Sequence, residues 1–252
     1  MLDLQSGDVF LMCGDAKHSE YLAAAQRMLY KGAKSSHVLL SVGDGAFVHS
    51  TADAGVGFVF FENVLKDCKN GWRVIRMKGL RDDQREAMVK AAIYYIDQAY
   101  NYKFFFKSND RTSFCSELVA KAFEDAGISL FGKTTGTITP ADFDRAADGD
   151  ELWLDVTEQY TEGFKEIAKE PYPYRFGYGT MVAAVRKRQV AMASMDRLLE
   201  SFKHMSENGG LSKEFYEKAV NMEAQFRESK NISFWNEKKY PIQGETDGTE
   251  KS

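Results

Sequence analysis

The sequence predicts an α+β fold in which a short antiparallel sheet packs against helices. Short apolar runs separated by turn residues fill residues 8–77, and helical patterns follow them. A Gly-Asp-Gly turn at residues 43–45 joins two of the runs, as expected for a β-hairpin. Consecutive strands joined by tight turns pair antiparallel, and the helices then cover the sheet.

The strands come first in the chain. The runs that predict them are residues 8–12, 37–42, 46–51, 56–61 and 72–77. Residues 18–31, between the first and second strands, have the apolar spacing of a helix. The order of runs and turns predicts a meander of antiparallel strands.

The helices follow the strands. Residues 82–100 predict a helix with acidic residues in its first turn, and residues 114–126 predict a second helix that Gly127 ends. Residues 137–152 have the composition of a loop, and residues 171–180 that of a connector with two prolines. Two amphipathic helices are predicted at residues 181–205 and 212–229. The tail after Pro241 is expected to be disordered.

Charge and cysteine content exclude several classes of protein. A net charge of −4 gives no reason to expect nucleic acid as a partner. Three cysteines without a CxxC pair argue against a disulfide framework and a structural zinc site. No run reaches the roughly 18 apolar residues of a membrane span, and no basic leader opens the sequence. A cytoplasmic location is expected, with leaderless export or a shortened chain as alternatives.

Two of the four histidines lie in the predicted hairpin. His37 begins its first strand and His49, twelve residues later, is near the end of the second. The turn lies midway, so the two residues are expected roughly opposite each other on one side of the sheet. A slip of one residue would move one of them to the other face.

Cys115 stands at the start of the helix predicted at residues 114–126. Backbone amides and the helix dipole at that place favour a thiolate, which is the nucleophilic form of cysteine. An imidazole such as His37 would act as its general base, and His49 would hold that imidazole in one tautomer. The amide of Cys115 would stabilise an oxyanion.

Structural interpretations of these residues stay open at this point. Cys115 can be a small buried apolar residue, and His37 an ordinary residue at a strand end. Cys13 and Cys68 are interpreted as structural, and His204 as a solvated surface residue. His18 near Cys13 offers a rival pair that no other feature supports.

Several of these motifs resemble the permuted NlpC-type papain-like cysteine hydrolases, YiiX/YaeF-like branch, with lecithin retinol acyltransferase as a more distant relative. The similar segments, in chain order, are Gly7-Asp8-Val9-Phe10, Ser36-His37-Val38, Gly43-Asp44-Gly45, Val48-His49, Gly55-Val56, Phe114-Cys115-Ser116-Glu117-Leu118-Val119 and Thr139-Pro140 with Asp142. The resemblance covers about residues 5–145 and explains why the histidine precedes the cysteine.

The resemblance implies a permuted papain-like core of antiparallel sheet and nucleophile helix. It implies Cys115 as nucleophile, His37 as base and His49 as third residue, although many YiiX-like members have Glu at the third position. A tyrosine thirteen residues before the nucleophile is thought to support the oxyanion in this family, and it corresponds to Tyr102. We expect residues 1–150 to form the catalytic domain. The resemblance does not extend past it, and the sequence patterns alone predict a helical extension packing on the core at residues 151–240 and a disordered tail at residues 241–252.

The resemblance implies a hydrolase or acyltransferase that forms an acyl thioester on Cys115. Its substrate would be a peptide, another amide or a lipid acyl group, and the chemistry requires neither a metal nor an organic cofactor. The aromatic residues Phe104, Phe105 and Phe106 slightly favour an acyl chain as the substrate, although core packing explains them equally well. One alternative is a catalytically silent lipid- or peptide-binding module. In another, the helices within residues 181–229 bind a partner or form a homo-oligomer.

Overall fold

The computed structural model describes residues 3–14, 24–102, 109 and 111–229, and these contain eight strands, eight α-helices and a short 3-10 helix, Thr135–Thr137. The strands are β1 (Val9–Gly14), β2 (His37–Gly43), β3 (Ala46–Thr51), β4 (Gly55–Phe60), β5 (Cys68–Met77), β6 (Ala99–Tyr100), β7 (Thr112–Ser113) and β8 (Trp153–Asp155). The helices are α1 (residues 24–29), α2 (Phe61–Lys66), α3 (Asp82–Tyr94), α4 (Cys115–Asp125), α5 (Pro140–Ala147), α6 (Thr157–Lys169), α7 (Tyr172–Glu207) and α8 (Lys213–Ser229).

The main sheet has six strands in the order β4-β3-β2-β1-β5-β8, and each neighbouring pair is antiparallel. Strands β6 and β7 form a separate parallel pair. The turn between β2 and β3 uses Gly43, Asp44 and Gly45, all with positive φ, as a tight hairpin requires. The α+β class, the antiparallel sheet and the five early strands are confirmed.

Two helical predictions differ from the structure near the middle of the chain. The helix predicted at residues 82–100 ends at Tyr94. Backbone hydrogen bonds from Val56 to Gln98 and from Asp97 to Val56, each 2.9 Å, attach the following residues to β4 instead. The loop predicted at residues 137–152 contains α5, because Pro140 suits a first helical position and Asp142 accepts hydrogen bonds from Thr139.

The connector predicted at residues 171–180 is also wrong, since α7 begins at Tyr172. Pro173 is the second residue of this helix, where a backbone amide has no intrahelical acceptor and its loss has little cost. The helix expected at residues 18–31 is described only in part, as α1. Residues 15–23 and the tail predicted at 241–252 lie outside the described residues.

An aromatic core lies between one face of the sheet and α6. Phe47 contacts Phe164 with ring centroids 6.4 Å apart, and Phe61 stacks on Phe164 at 4.4 Å. The other buried members of this cluster are Leu4, Phe10, Met12, Leu39, Phe60, Val64, Val74, Val156, Tyr160 and Ile167. Burial of so many large apolar side chains is the main stabilising contribution to this half of the fold.

A buried ion pair also joins α6 to the sheet. Asp8 in the turn before β1 accepts two hydrogen bonds of 2.8 Å from the guanidinium of Arg76 on β5. The hydroxyl of Tyr160 on α6 donates to Asp8 at 2.9 Å and lies 3.1 Å from the Ser41 hydroxyl. This packing includes β8 and α6, and the first compact unit runs from Met1 to Tyr178. The division predicted at residue 150 stays a prediction.

The second compact unit runs from Gly179 to Ser252 and contains most of α7 and all of α8. Within it, the rings of Phe202 and Phe215 contact each other at 5.6 Å. The two amphipathic helices predicted here are therefore present, whereas their packing on the core stays a prediction. Among the helices of the described residues, none combines the length and apolarity needed to cross a bilayer.

Candidate active site

The β2–β3 hairpin brings two imidazoles together. Leu40 pairs with Val48, so His49 lies across from Leu39, and His37 is its diagonal neighbour on the same face. Nε2 of His37 is 3.2 Å from Nδ1 of His49, and the rings meet edge to face with centroids 5.3 Å apart. This contact leaves Nδ1 of His37 as the ring nitrogen that His49 does not engage.

Both imidazoles are neutral at pH 7. Burial lowers the pKa of His37 to about 3, and the nearby His49 lowers it further in the same direction. Burial also lowers the pKa of His49 to about 4, although the negative charge of Asp53 opposes that change. A proton on Nε2 of His37 would be donated to Nδ1 of His49, and the proton of His49 would then be on its Nε2.

Cys115 is the first residue of α4 and is buried. The preceding segment is attached to β3, because the hydroxyl of Ser50 donates a hydrogen bond of 2.6 Å to the carbonyl of Ser113. On β2, the backbone amide of Val38 lies close enough to the Cys115 sulfur to lower its pKa. The sulfur is therefore next to the strand residue that follows His37.

The thiol and the imidazole do not form an ion pair in this state. Burial raises the pKa of the Cys115 thiol, and this effect outweighs the lowering by the amides of Val38 and Ser116. The expectation that the helix start favours a thiolate is thus wrong. Within the part of the chain that the structure describes, no hydrogen bond joins the Cys115 sulfur to either imidazole.

A buried charged network, absent from the sequence interpretation, supports the start of α4. Lys121 on α4 donates hydrogen bonds of 2.8 Å to the carbonyl of Thr112 and 2.7 Å to the hydroxyl of Ser113. Its ammonium is 3.3 Å from Glu117, which accepts a 2.9 Å hydrogen bond from Asn101. This network holds residues 112–113, before Cys115, against α4, which follows it. In the sequence, the spacing of four residues between Glu117 and Lys121 indicates that they are neighbours on one face of a helix.

The carboxylate of Asp144 holds the loop that leads into His37. Asp144 on α5 is fully buried and accepts backbone hydrogen bonds of 2.8 Å from Lys34 and from Ser35. The hydroxyl of Ser35 donates to its other oxygen at 2.9 Å. Sequence inspection singled out Asp142 in this segment, but Asp142 caps α5 while Asp144 holds the loop before β2.

Tyr102 lies at the surface, with 67% of its area exposed. Its hydroxyl donates a hydrogen bond of 2.6 Å to the carbonyl of Ala52, and its ring meets Tyr100 edge to face at 5.0 Å. Tyr100 is half-buried on β6, and burial raises the pKa of its phenol, with a further contribution from negative charge at Cys115.

The remaining candidates lie apart from this cluster or outside the described residues. Cys13 and Cys68 are partly exposed and are not in a disulfide, and the ring of His204 lies 3.3 Å from the Asn208 amide within the second unit. His18 lies outside the described residues, as do Phe104, Phe105 and Phe106. Among described side chains, no group of three or more His, Cys, Asp or Glu residues is arranged to hold a metal ion.

Known proteins resemble the chain in sequence and in fold. A family model described as permuted papain-like amidase enzyme, YaeF/YiiX, C92 family, matches residues 3–163. The crystal structure of metalloprotein yiiX from Escherichia coli O157:H7 matches with a TM-score of 0.47 and 17% identity, covering 60% of this chain and 96% of that chain. No curated protein matches the chain at a significant level.

Proposed function

Because the chain belongs to the permuted papain-like amidase family, YaeF/YiiX, we propose that it is a thiol-dependent hydrolase or acyltransferase acting on an amide or ester. Cys115 is the nucleophile, His37 the general base and His49 the residue that orients His37. One observation carries this proposal. The Cys115 thiol at the start of α4 lies beside the Val38 amide on β2, and the residue before Val38 is His37, which contacts His49.

The neutral state of both partners defines the first step. As the Cys115 sulfur attacks the substrate carbonyl, its proton passes to Nδ1 of His37. His37 then carries protons on both nitrogens, and the proton on Nε2 is donated to Nδ1 of His49 across the 3.2 Å contact. The negative charge of Asp53 favours positive charge on this histidine pair.

The start of α4 supplies the electrostatic stabilisation. The Cys115 amide is in the first helical turn, where amides have no intrahelical acceptor, so it can donate to the oxyanion of the tetrahedral intermediate. Collapse of the intermediate expels an amine or alcohol, which takes the proton held by His37. The acyl thioester on Cys115 is then transferred to water or to another acceptor.

An amide is the substrate class that family membership favours, and a lipid acyl ester is the second candidate. A panel of amide and ester acyl probes, read by intact mass, tests both. Wild-type protein is expected to gain one acyl group, and Cys115→Ala none. Cys13→Ala and Cys68→Ala are matched controls that remove the other two thiols and should retain the adduct.

A catalytically silent binding module is the competing function. It predicts that no probe of the panel acylates wild-type protein, or that an adduct persists in Cys115→Ala. Either result contradicts the proposed nucleophile. Loss of the adduct in Cys115→Ala together with a preference for amide probes would support an amidase, and a preference for long-chain esters would support a lipid acyl substrate.

A further inference from the structure

We infer that Asp144, the buried carboxylate on α5, is a positioning residue that holds His37 where its imidazole can take the proton of Cys115. This inference rests on the proposed function and deepens it, since it assigns the group that sets the distance between base and nucleophile. Asp144 acts through the backbone that leads into His37 rather than on the substrate.

The hydrogen bonds of Asp144 hold the two residues that come three and two positions before His37. One carboxylate oxygen accepts from the backbone amides of Lys34 and Ser35, each at 2.8 Å. The other oxygen accepts from the Ser35 hydroxyl at 2.9 Å. Loss of the carboxylate would leave these three donors without their acceptor, so the loop would have to move to satisfy them.

The next residue of the loop, Ser36, is attached to β1. Its amide donates a hydrogen bond of 3.0 Å to the Met12 carbonyl, and its hydroxyl accepts one of 3.3 Å from the Gly14 amide. Met12 is also the register partner of His37 in the sheet. The chain therefore enters β2 between two supports, β1 and α5, and Asp144 provides the second of them.

The segment that carries Asp144 is also attached to the nucleophile helix. The hydroxyl of Ser116, the residue after Cys115, donates a hydrogen bond of 2.8 Å to the carbonyl of Ile138, just before α5. Residues 138–144 thus contact the start of α4 at one end and the loop before His37 at the other. Because most of this segment is helical, it relates the position of the base to that of the nucleophile.

Arg73 on β5 supports the carboxylate from the side of the sheet. One guanidinium nitrogen lies 3.4 Å from Oδ1 of Asp144, and the other donates to Asp148 at 2.6 Å. Both aspartates belong to the last part of α5 and its C-terminal end. The cation compensates the buried negative charge and holds α5 against the sheet, which limits movement of the loop that Asp144 carries.

The reaction depends on this placement because proton transfer is sensitive to distance. The sulfur of Cys115 bonds to the carbonyl carbon, the C=O π electrons move to oxygen, and the thiol proton passes to Nδ1 of His37. On collapse the C=O bond reforms and the leaving group departs with that proton. Asp144 neither gains nor loses a proton. Transfer needs the heavy atoms within about 3.2 Å of each other, and an error of about 1 Å can slow a reaction about 100-fold.

Acylation by p-nitrophenyl acetate tests the inference, with iodoacetamide alkylation as the parallel reaction that starts from the thiolate. In Asp144→Ala at pH 7, the single-turnover acylation rate of Cys115, read by intact mass, is expected to fall about 100-fold, while alkylation changes less than about threefold. Asp142→Ala is the matched control on the same helix. It removes the carboxylate that bonds to Thr139 and should keep acylation within about threefold of wild type.

A loss that acts through His37 has its own pH profile. At about pH 10 the thiolate forms without a base, so the deficit of Asp144→Ala should shrink to less than about tenfold. In a His37→Ala background, Asp144→Ala should cost less than about threefold more, because the group it positions is already absent. The conservative Asp144→Asn keeps an oxygen for the two amides and an NH₂ that can donate to the Ser35 hydroxyl. Its acylation rate should return to within about fivefold of wild type.

The outcomes separate this inference from the proposed function. If wild-type protein is not acylated on Cys115, the proposed function fails and Asp144 loses its role with it. If wild-type protein is acylated and Asp144→Ala reacts at the same rate, the inference alone is wrong. A deficit of equal size at pH 7 and pH 10, or in acylation and alkylation, indicates a purely structural role and overturns it.

If Asp144→Ala does not fold, the milder Ser35→Ala decides. It removes the hydroxyl that donates to Asp144 and leaves the two backbone hydrogen bonds in place. An acylation rate about fivefold lower at pH 7, with unchanged alkylation, supports the inference. An unchanged ratio of acylation to alkylation in Ser35→Ala overturns it.

Discussion

The buried imidazole pair predicts a specific loss of stability in mild acid. His37 and His49 are held neutral, with pKa values of about 3 and about 4, whereas an unfolded chain takes up a proton on each ring near pH 6.5. Below pH 6.5 the unfolded state therefore binds more protons than the native state. Stability is lost as the pH falls from about 6.5 toward the native values.

The size of the effect follows from these pKa values. Moving from pH 7.5 to pH 5 lowers the free energy of the unfolded chain by about 2 kcal/mol for each ring, while the native state gains almost nothing. The two histidines together are expected to reduce the free energy of unfolding by about 4 kcal/mol. This is a large fraction of the stability of an ordinary domain.

Urea denaturation at pH 7.5 and pH 5 measures this loss. Trp72, which stacks on Phe10 at 5.0 Å in the core, and Trp153, half of an aromatic pair with Phe123, provide the fluorescence signal. The matched control is the double variant His37→Gln/His49→Gln, which keeps every carboxylate and removes only the two imidazoles. Its stability should fall about 4 kcal/mol less than that of wild-type protein over the same pH change.

A pH dependence that is the same in both proteins, within about 1 kcal/mol, would show that the imidazoles are not held neutral by burial. A wild-type protein that gains stability relative to the double variant at pH 5 would refute the reasoning more strongly, because it requires histidine pKa values raised on folding. In the single variants His37→Gln and His49→Gln, about half of the effect should be lost in each, because both rings remain neutral in the native state at pH 5.

Two further predictions concern the thiol and the backbone beside it. Iodoacetamide alkylation of Cys115, followed by peptide mass spectrometry, should accelerate about tenfold per pH unit from pH 5 to pH 8, because burial raises the pKa of the thiol. A flat rate over that range would indicate a thiolate–imidazolium pair. Gly55→Ala should lower the free energy of unfolding by about 3 kcal/mol, because φ at Gly55 is +70° and a Cβ there would overlap the Gln98 carbonyl. In the control Gly57→Ala, the new Cβ meets nothing within 4 Å, so a loss above about 1 kcal/mol there contradicts the steric explanation.

The hairpin could be predicted because its turn residues and strand pattern are local. The face shared by His37 and His49 could also be predicted, although the two residues are diagonal neighbours rather than directly opposite. A shift of the strand pairing by two residues leaves each side chain on the same face of the sheet, whereas a shift by one residue moves it to the other face. The predicted pairing differed from the observed one by two residues, so the predicted face was still correct.

The pairing of β6 with β7 leaves little trace in the sequence. These strands have two residues each, too few to produce an alternating pattern. Their register is supported by buried hydrogen bonds from Asn101 to Glu117 and from Lys121 to Ser113. Because Glu117 and Lys121 lie on α4, the pairing depends on tertiary contacts that local sequence patterns do not report.

The protonation state of Cys115 and His37 could not be predicted from the sequence either, because it also depends on tertiary contacts. A thiol at a helix start has a local tendency toward the thiolate, but the opposing effect comes from tertiary burial, which raises the pKa of Cys115 and lowers that of His37. Burial disfavours the charged form of each partner, so the proton moves only when attack on a substrate creates compensating charge. We therefore expect the protein to react slowly with small electrophiles at neutral pH and to acylate faster with a substrate whose carbonyl accepts a hydrogen bond from the Cys115 amide. The ratio of acylation to alkylation rates is therefore the property that best distinguishes an enzyme from a binding module built on the same fold.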